Sequence, residues 1–489
     1  MNYIENDSDF DYLKTLIADN RSFWIPMFSD IYNHYTHNRL SFLYIYNIDM
    51  DYEYIISFSH TDCIGIQRQR LQELASNHRP FVLSKKRFAK FYSHACYDAD
   101  LFHWWHTNQM LPLNETNTSA HDMWSRWWHN ETNTNDWLPI TRHAERCTAM
   151  KDVFMKHFNT YKRTKEFVKY ESFAIDNFFA IEQNGLQVDK KIYTDKFQSN
   201  GIHNNKVYTE YNLYTSTGRP SNKFGGVNFA ALNKEDGSRE SFVSRFEQGM
   251  LLEFDYDAYH VRLIADIIEF DLPEGSVHEY FGKQYFGVDK LSHEQYEESK
   301  KITFRLLYGG IDKDFAKIPF FGEVKNYVSS LWQAYKRYGF VKTEYFKRPM
   351  YKDNLNDMNP NKLFNYQLQA AETEHNMLVL NELNDHMINM SSKLILYTYD
   401  SFLIDYDLRD ESSASPVISL SSTIQRIWHD KKNKEIAKKT YYSVGGGFVV
   451  DDSREDRDLI AEDKTKITFP YDKAAQLLEY CENESLNIS

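Results

Sequence analysis

The chain has few cysteines, glycines and prolines, and it has no long apolar run. Its four cysteines stand far apart among 489 residues and form no paired spacing, so neither a zinc site nor a disulfide framework is indicated. No charged-then-apolar leader opens the sequence, and no apolar run approaches the roughly 20 residues that span a bilayer. We therefore expect a cytosolic protein in a reducing compartment, with no membrane partner.

The chain also lacks an excess of positive charge. Lys and Arg number 57 against 70 Asp and Glu, which gives a formal net charge of −13 at pH 7. A protein that binds nucleic acid non-specifically over its whole surface usually has a positive net charge. The composition therefore argues against such binding, but it does not exclude a local basic cleft. The aromatic share of 16% is high. We interpret it as compositional bias, with an aromatic-rich binding face as the alternative.

The length predicts two or three domains, because single hydrophobic cores stop growing well before 489 residues. Apolar alternation and helical spacing indicate an α/β and α+β multidomain fold. The aromatic stretch at 23–26 is expected only to pack. The predicted elements are a helix at 10–19, a hairpin of strands 42–46 and 54–58, loops around a Trp-rich helix at 106–138, a helix from about 166 to a capping Gly185, a strand at 250–255, a helix at 294–308 and a hairpin at 394–406.

Two apolar strands end in an aspartate. Asp255 closes the apolar run that begins at Leu251, and Asp400 stands at the tip of the hairpin at 394–406. Nucleotidyl transfer from a triphosphate needs two hard divalent cations, and carboxylates at neighbouring strand ends can hold them. Taken singly, an aspartate at a strand end is more often a helix cap or a turn residue than a metal ligand.

A third element supports the catalytic interpretation. Lys300, Phe304 and Tyr308 stand four residues apart on one face of the predicted helix, just before two glycines. This face can present an ammonium group to a triphosphate and two rings to a base pair. The alternative is an amphipathic helix with a buried aromatic stripe.

Together and in this order, these segments resemble family A DNA polymerases over roughly residues 181–448, including a Thr-Ser-Thr-Gly-Arg stretch at 215–219 and a Tyr-Asp-Ser stretch at 399–401. The resemblance implies a palm and fingers, and a polymerase that adds deoxynucleotides to a primer 3′ end. It implies two Mg²⁺ ions, with Mn²⁺ as an alternative. It assigns catalysis and metal ligation to Asp255 and Asp400, with the backbone carbonyl of Tyr256 as a further ligand.

The resemblance also assigns the substrates. The residues expected to bind the nucleotide are His260, His278, Lys300, Phe304 and Tyr308. The residues expected to contact primer–template DNA are Arg219, Asn228, Arg262, Asn365 and Gln369.

Three positions depart from the family's pattern. Tyr296 stands where the fingers helix has an Arg, which removes one cationic contact to the triphosphate. His260 stands where the family has a Glu that closes the space beside the sugar 2′ carbon, and Ser401 follows the second Asp as in single-subunit RNA polymerases. The alternatives are therefore an RNA-making or ribonucleotide-tolerant polymerase and a catalytically silent DNA-binding subunit.

The amino-terminal part resembles the family's ribonuclease-H-like 3′–5′ exonuclease domain, in which four acids surround two metals. Asn47 and Asp49 stand where Asp-x-Glu is expected on the first strand. Asp98 and Asp152 match the second and third acidic motifs, with Thr148 in place of a Tyr. Because an amide binds a hard cation less well than a carboxylate does, we expect a degenerate domain with weak or absent proofreading.

The predicted boundaries follow these motifs: an N-terminal segment 1–40, an exonuclease-like domain 41–165, a connector 166–214, a palm and fingers 215–450 with the fingers at about 275–345, and an acidic C-terminal extension 451–489.

The connector is too short for a thumb. Only residues 190–214 separate Asp189 from Thr215, where the family has a long helical thumb, so we expect the thumb to be reduced or absent. Such an enzyme would need a processivity factor, a single-strand-binding protein or another replication subunit. The size and the altered proofreading motif suggest a phage or mobile-element enzyme, and a phage enzyme would act in the cytoplasm of its host.

Overall fold

The computed structural model describes residues 1–29, 34–113, 134, 138–159, 161–197, 201–224, 227–232, 236–247, 249–256, 258–273, 276–407, 409–410, 438–443 and 449–451. Of residues 223–224, 254–255, 438–443 and 449–451, only the backbone is described. The chain forms two compact units, residues 1–179 with 212–215, and residues 180–211 with 216–489. Most of the predicted Trp-rich segment, and the C-terminal extension from residue 452 on, lie outside the described residues.

A six-stranded sheet with the order β1-β4-β3-β2-β5-β6 forms the first unit. The β2–β3 and β3–β4 pairs are antiparallel, whereas β1–β4, β2–β5 and β5–β6 are parallel. The β3–β4 pair confirms the predicted hairpin. The strands are β1 (Asn2–Ile4), β2 (Ser22–Ser29), β3 (Arg39–Asn47), β4 (Tyr52–Ser57), β5 (Phe81–Val82) and β6 (Tyr97–Asp98).

The helices of this unit are α1 (Asp7–Asp19), α2 (Lys85–Phe88), α3 (Ala99–Thr107), α4 (Ile140–Phe158) and the greater part of α5 (Lys165–Asn184). Helix α1 confirms the first predicted helix and packs Phe10, Leu13 and Ile17 into the same core as Trp24 of β2. Every residue of β2 is buried, so the strand shows no alternation. The stretch expected only to pack is therefore a central strand, and residues 1–40 belong to the same sheet as the hairpin.

The second unit begins within α5, and its described residues contain six more α-helices and a larger set of strands. Its strands are β7 (Leu186–Gln187), β8 (Lys206–Val207), β9 (Tyr211–Asn212, at the boundary between the units along the chain), β10 (Ser221–Phe224), β11 (Val227–Asn228), β12 (Gly249–Tyr256), β13 (Phe340–Lys342), β14 (Pro349–Tyr351), β15 (Lys393–Thr398), β16 (Ser401–Asp407), β17 (Lys438–Ser443) and β18 (Val449–Asp451). Its helices are α6 (Lys190–Phe197), α7 (Tyr259–Ile267), α8 (Val277–Phe286), α9 (His293–Gly309), α10 (Pro319–Tyr338) and α11 (Pro360–His386).

A five-stranded antiparallel sheet of order β15-β16-β12-β17-β18 is the centre of this unit. The predicted strand at 250–255 and the hairpin at 394–406 are confirmed as β12 and the β15–β16 pair. The predicted helix at 294–308 is α9, which begins with a capping box between Ser292 and Gln295.

The register between β12 and β16 is fixed at the end of the sheet away from the hairpin turn. The fully buried Asp405 of β16 accepts from Arg245 Nε at 2.7 Å and from Ser244 Oγ at 2.6 Å, just before β12 begins. Arg245 also donates to the Gly185 carbonyl at 2.7 Å, at the end of α5. Since a buried carboxylate is costly to leave unpaired, a slip of β12 against β16 would break these contacts at a large energetic cost.

The stretch between Asp189 and Thr215 contains the eight-residue helix α6 and the two-residue strands β8 and β9 among its described residues. No helix in the part of the chain that the structure describes combines the length and the apolar character needed to cross a membrane.

Gly185 ends α5 in the left-handed region with φ +60°, and a Cβ there would lie 2.8 Å from the Tyr208 ring and 3.1 Å from the Val207 carbonyl oxygen. Gly287 has φ +65° after α8 and nothing within 4 Å of an added Cβ. Both Gly→Ala variants should lose stability from backbone strain of about 1–3 kcal/mol, and Gly185→Ala should lose more because it also clashes. Chemical denaturation measures both. Equal losses would show that Tyr208 moves aside freely.

Candidate active site

The turn between β15 and β16 carries Asp400. The strand pairing ends at Thr398 and Ser401, which leaves Tyr399 and Asp400 as a two-residue turn. Tyr399 has φ 61°, a left-handed conformation of the kind that two-residue hairpin turns require. The hairpin geometry therefore holds Asp400 at the end of the sheet rather than along a strand.

Strand β12 ends at the same turn. Its register pairs Asp255 with Ser401, and the Tyr256 backbone N–H donates to the Asp400 carbonyl oxygen at 3.2 Å. Paired residues of antiparallel strands lie about 5 Å apart at their Cα atoms, so the backbones of Asp255 and Asp400 are neighbours. The Asp255 side chain is outside the described atoms.

The surroundings of Asp400 change its pKa. Burial, and after it the nearby Glu372 carboxylate, raises the pKa of Asp400 to about 6, although His260 and Arg219 act in the opposite direction. A carboxylate with these neighbours is destabilised in its charged form and would gain from a further cation beside it.

Glu372, in the middle of α11, is the residue that the sequence analysis missed. Its Oε2 atom lies 3.0 Å from Arg219 Nε and 3.0 Å from His260 Nε2, and its Oε1 accepts from Arg219 Nη2 at 3.2 Å. Burial raises the pKa of Glu372, but His260 and Arg219 together outweigh that effect and hold the pKa below its usual value. The carboxylate is therefore ionised at neutral pH.

His260 joins this carboxylate to the helix α9. Its Nδ1 lies 2.5 Å from the Tyr308 hydroxyl, and its ring meets the Tyr308 ring nearly at right angles, with 5.7 Å between centroids. On the other side of the cluster, the Arg219 guanidinium lies over the Tyr399 ring, 3.7 Å from its centroid. The cluster thus links the turn that carries Asp400 to the end of α9.

The predicted face of α9 is present in the structure. Phe304 and Tyr308 are parallel, with 6.0 Å between ring centroids, and His278 of α8 lies 5.5 Å from the Phe304 ring. Phe304 is 37% exposed, which is unusual for a large apolar side chain and argues against a purely buried stripe.

Lys300 already has an anionic partner. Its ammonium group donates to Glu297 Oε1 at 2.7 Å and lies 4.5 Å from the centroid of the Tyr296 ring. Tyr296 therefore contacts the lysine directly. A triphosphate that bound Lys300 would have to displace Glu297.

Two amide side chains from α11 hold the carboxyl end of α9. Asn361 Nδ2 donates to the Gly309 carbonyl at 2.9 Å, and Asn365 Nδ2 donates to the Tyr308 carbonyl at 3.1 Å. These carbonyls are left without partners inside a helix that ends here, so the two amides cap it. Asn365, predicted to contact the template strand, thus contacts Tyr308 in this structure.

The other residues expected to contact DNA are spread over the second unit. Asn228 is exposed at the end of β11, and Arg262 and Gln369 are half-buried on α7 and α11. Asn365, Gln369 and Glu372 share one face of α11 at helical spacing. The face predicted to contact template DNA is therefore continuous with the Glu372 cluster.

The four residues predicted for the exonuclease site do not form one cluster in the first unit. Asn47 ends β3 and Asp49 lies in the turn after it, where it forms an ion pair with Arg21 at 2.5 Å. They were expected on the first strand, which is wrong, because the central strand β2 precedes them and contains no acid. Asp152 is 61% exposed and pairs with Lys151.

Asp98 is buried and has a structural role. Its carboxylate accepts from Leu101 N at 2.7 Å, as the cap of α3, and from Lys85 N at 3.0 Å. Burial, followed by the neighbouring Asp100, raises the pKa of Asp98 to about 7. Among the described residues, no group of three or more His, Cys, Asp or Glu side chains is placed to hold a metal ion.

Comparison with known sequences gives only short matches, and no family model matches the chain. The chain is 41% identical over 64 residues to an L-serine dehydratase from Streptomyces coelicolor, and 25% identical over 104 residues to one from Haemophilus influenzae. These stretches cover 13% and 21% of this chain and 14% and 20% of the relatives. The chain therefore spans a fifth or less of the length of the curated relatives it matches.

Comparison of structures gives a match over nearly the whole chain. The structure is similar to the POL domain of Pol1 from M. smegmatis in complex with DNA primer-template and dNTP, with a TM-score of 0.64 and 12% sequence identity. The match covers 91% of this chain and 99% of that one. The likeness shows the fold of a DNA polymerase domain in a mixed α/β chain of several domains.

The contacts of Asp98 predict that it supports the fold. Asp98→Ala should lower the free energy of unfolding by about 1–3 kcal/mol, because two backbone N–H groups, one buried and one part-buried, lose their acceptor. Asp152→Ala, an exposed acid from the same predicted set, should change it by less than about 0.5 kcal/mol. Chemical denaturation measures both, and degradation of a mispaired 3′ end is assayed beside them. Strong, metal-dependent degradation that is lost in Asp98→Ala would contradict the structural role.

Proposed function

We propose that the protein is a template-directed DNA polymerase that adds deoxynucleotides to a primer 3′ end by two-metal nucleotidyl transfer. One observation carries the proposal: in a chain with a polymerase-domain fold, the β12–β16 register brings the backbone of Asp255 beside the turn at Asp400. The ordered motifs of family A polymerases support it.

The donor atoms at this turn suit Mg²⁺. Asp400 is a half-buried carboxylate whose pKa is raised by burial and by Glu372, and carboxylate oxygens at a strand end are the ligands that hard divalent cations prefer. Asp255, Asp400 and the Tyr256 carbonyl would hold the ions, which would stabilise charge on the attacking and leaving oxygens. The protein's own contribution is to fix these donors on a rigid sheet.

The nucleotide would lie along α9. Lys300 would bind the triphosphate in exchange for Glu297, with His278 close to the same face. Phe304 and Tyr308 present parallel rings that suit a base pair. His260, held against the Tyr308 hydroxyl, would lie at the sugar.

The choice of sugar separates the main proposal from its alternative. His260 and Ser401 favour an enzyme that accepts ribonucleotides, whereas Phe304 and the Thr-Ser-Thr-Gly-Arg stretch favour deoxynucleotides. Ser401 donates to Glu253 Oε1 at 3.0 Å, so it is engaged within the sheet. We therefore propose DNA synthesis, and extension with both kinds of nucleotide tests it.

The surroundings of the site suggest a polymerase that depends on partners. Arg219, Asn228, Arg262, Asn365 and Gln369 would contact the primer–template, and α6 and the short strands stand where a thumb would be inserted. With a net charge of −13, the chain has little basic surface to replace a thumb. We propose distributive synthesis, assisted by a clamp or a single-strand-binding protein, with an inactive exonuclease-like domain and a role in phage replication.

Asp255→Asn and Asp400→Asn should each reduce primer extension by at least about 10²–10³-fold, because each removes a metal-binding charge without changing shape. Asp314→Asn, which changes an exposed acid paired with Lys317, should extend normally. Extension is measured with deoxynucleotides and Mg²⁺. Near-normal activity of either site variant would refute the polymerase assignment.

Lys300→Ala should lower kcat/KM for the nucleotide by about 10–100-fold, mainly through KM, since one charge-assisted contact is lost. Lys301→Ala is the matched control, because its side chain is 75% exposed and 3.8 Å from its partner. Glu297→Gln should lower KM, because it frees the ammonium group. If Lys300→Ala and Lys301→Ala behave alike, the α9 face serves packing only.

A further inference from the structure

A buried, ionised glutamate in the middle of a core helix requires an explanation. Glu372 is 1% exposed, and most of α11 from Leu363 to Leu380 is buried around it. Moving a carboxylate from water into such a place costs several kcal/mol even after relaxation, and its ion pairs recover only part of that cost. Stability alone therefore does not account for this residue, since a well-packed apolar side chain would serve as well.

A second buried glutamate, Glu374, lies two residues further along the helix and shows what a structural role looks like. Its oxygens accept from the Thr343 hydroxyl and from the backbone N–H groups of Tyr345 at 2.8 Å and Phe346 at 3.0 Å. Glu374 therefore fixes the loop between β13 and β14. Within the described residues, Glu372 contacts no backbone donor, and its partners are the side chains of Arg219 and His260 in the candidate site.

The contacts of Glu372 determine how His260 is held. Nε2 lies 3.0 Å from Glu372 Oε2, and Nδ1 lies 2.5 Å from the Tyr308 hydroxyl, so both ring nitrogens face a polar partner. The imidazole is thus fixed at both nitrogens and cannot turn about its bond to Cβ without losing two contacts. Tyr308 is fixed through it.

The same carboxylate orients Arg219. Its Nη2 donates to Glu372 Oε1 at 3.2 Å, and its Nε lies 3.0 Å from Oε2 as an ion pair, so the carboxylate holds the guanidinium beside it. The guanidinium lies over the ring of Tyr399, the residue before Asp400. One side chain therefore sets the positions of the groups on both sides of the nucleotide site.

We infer that Glu372 is the positioning residue for nucleotide selection, acting through His260 and Tyr308 to define the wall beside the incoming sugar. The inference rests on the proposed polymerase function. At position 260 the family pattern has a carboxylate, whereas this chain has an imidazole. Glu372, on a different helix, places a carboxylate oxygen 3.0 Å from that ring. A fixed ring can exclude a 2′-hydroxyl, whereas a mobile ring can move aside.

The test measures kcat and KM for a deoxynucleotide and for the matching ribonucleotide in primer extension. Glu372→Gln, which keeps the shape and removes the charge, should lower the ratio of the two kcat/KM values by about tenfold or more. It should raise KM for the deoxynucleotide more than it lowers kcat. Glu374→Gln is the matched control: it should lower the thermal midpoint while leaving the ratio unchanged.

A double-mutant cycle shows whether Glu372 acts through the imidazole. In a His260→Ala background, Glu372→Gln should have little further effect on the ratio, since there is no ring left to hold. Additive effects of the two changes would overturn the inference, as would a wild-type ratio in Glu372→Gln or the same loss in Glu374→Gln. If Glu372→Gln does not fold, Glu372→Asp is used instead, because its side chain is one methylene shorter and moves the carboxylate away from His260. The ratio of the two kcat/KM values should fall in the same way.

The outcomes also separate this inference from the proposed function. A wild-type protein that extends no primer overturns both. A wild-type protein that extends a primer while the Glu372 variants keep its discrimination overturns only the role of Glu372.

Discussion

The antiparallel register between β12 and β16 is the constraint on which the candidate site depends. The side chains of a strand alternate with a period of two residues, so a slip of one residue would turn each of them to the opposite face and would move Asp255 about 3.3 Å along the turn. Arg245 and Asp405 oppose such a slip from the other end of the strands. A buried ion pair far from the site thus sets the spacing of the two aspartates.

Local patterns predicted much of the fold, and contacts between distant segments account for what they missed. The β3–β4 and β15–β16 hairpins and helix α9 follow from alternation, turn residues and caps, all of which act within a few residues. Strand β2 was missed because it is buried on both faces and carries a proline, so neither of the usual strand signals is present.

The candidate site was predictable to the extent that its residues belong to ordered motifs. Glu372 belongs to none of these motifs, and its partners His260 and Arg219 lie 112 and 153 residues before it in the chain. In a helix that is buried on all sides, a glutamate looks in sequence like one that faces solvent. No sequence signal marks it, because Glu372 opens a run of five polar residues, Glu372 to Asn376, that would ordinarily be expected at the surface but are all buried in the structure.

Helix α9 is anchored at its carboxyl end, so a rotation of the helix about that end moves its amino-terminal half the furthest. Asn361 and Asn365 donate to the carbonyls of Gly309 and Tyr308, respectively. Gly310, with φ 106°, follows directly. Lys300 is eight residues from Tyr308, which is about 12 Å along the axis, so a rotation of roughly 10° about the anchored end would carry it about 2 Å. Helix α8 would travel with it, because Ser299 Oγ donates to the His278 carbonyl at 2.8 Å. In the proposed nucleotide site, the end expected to hold the phosphates would thus move while the end beside the sugar stayed almost still.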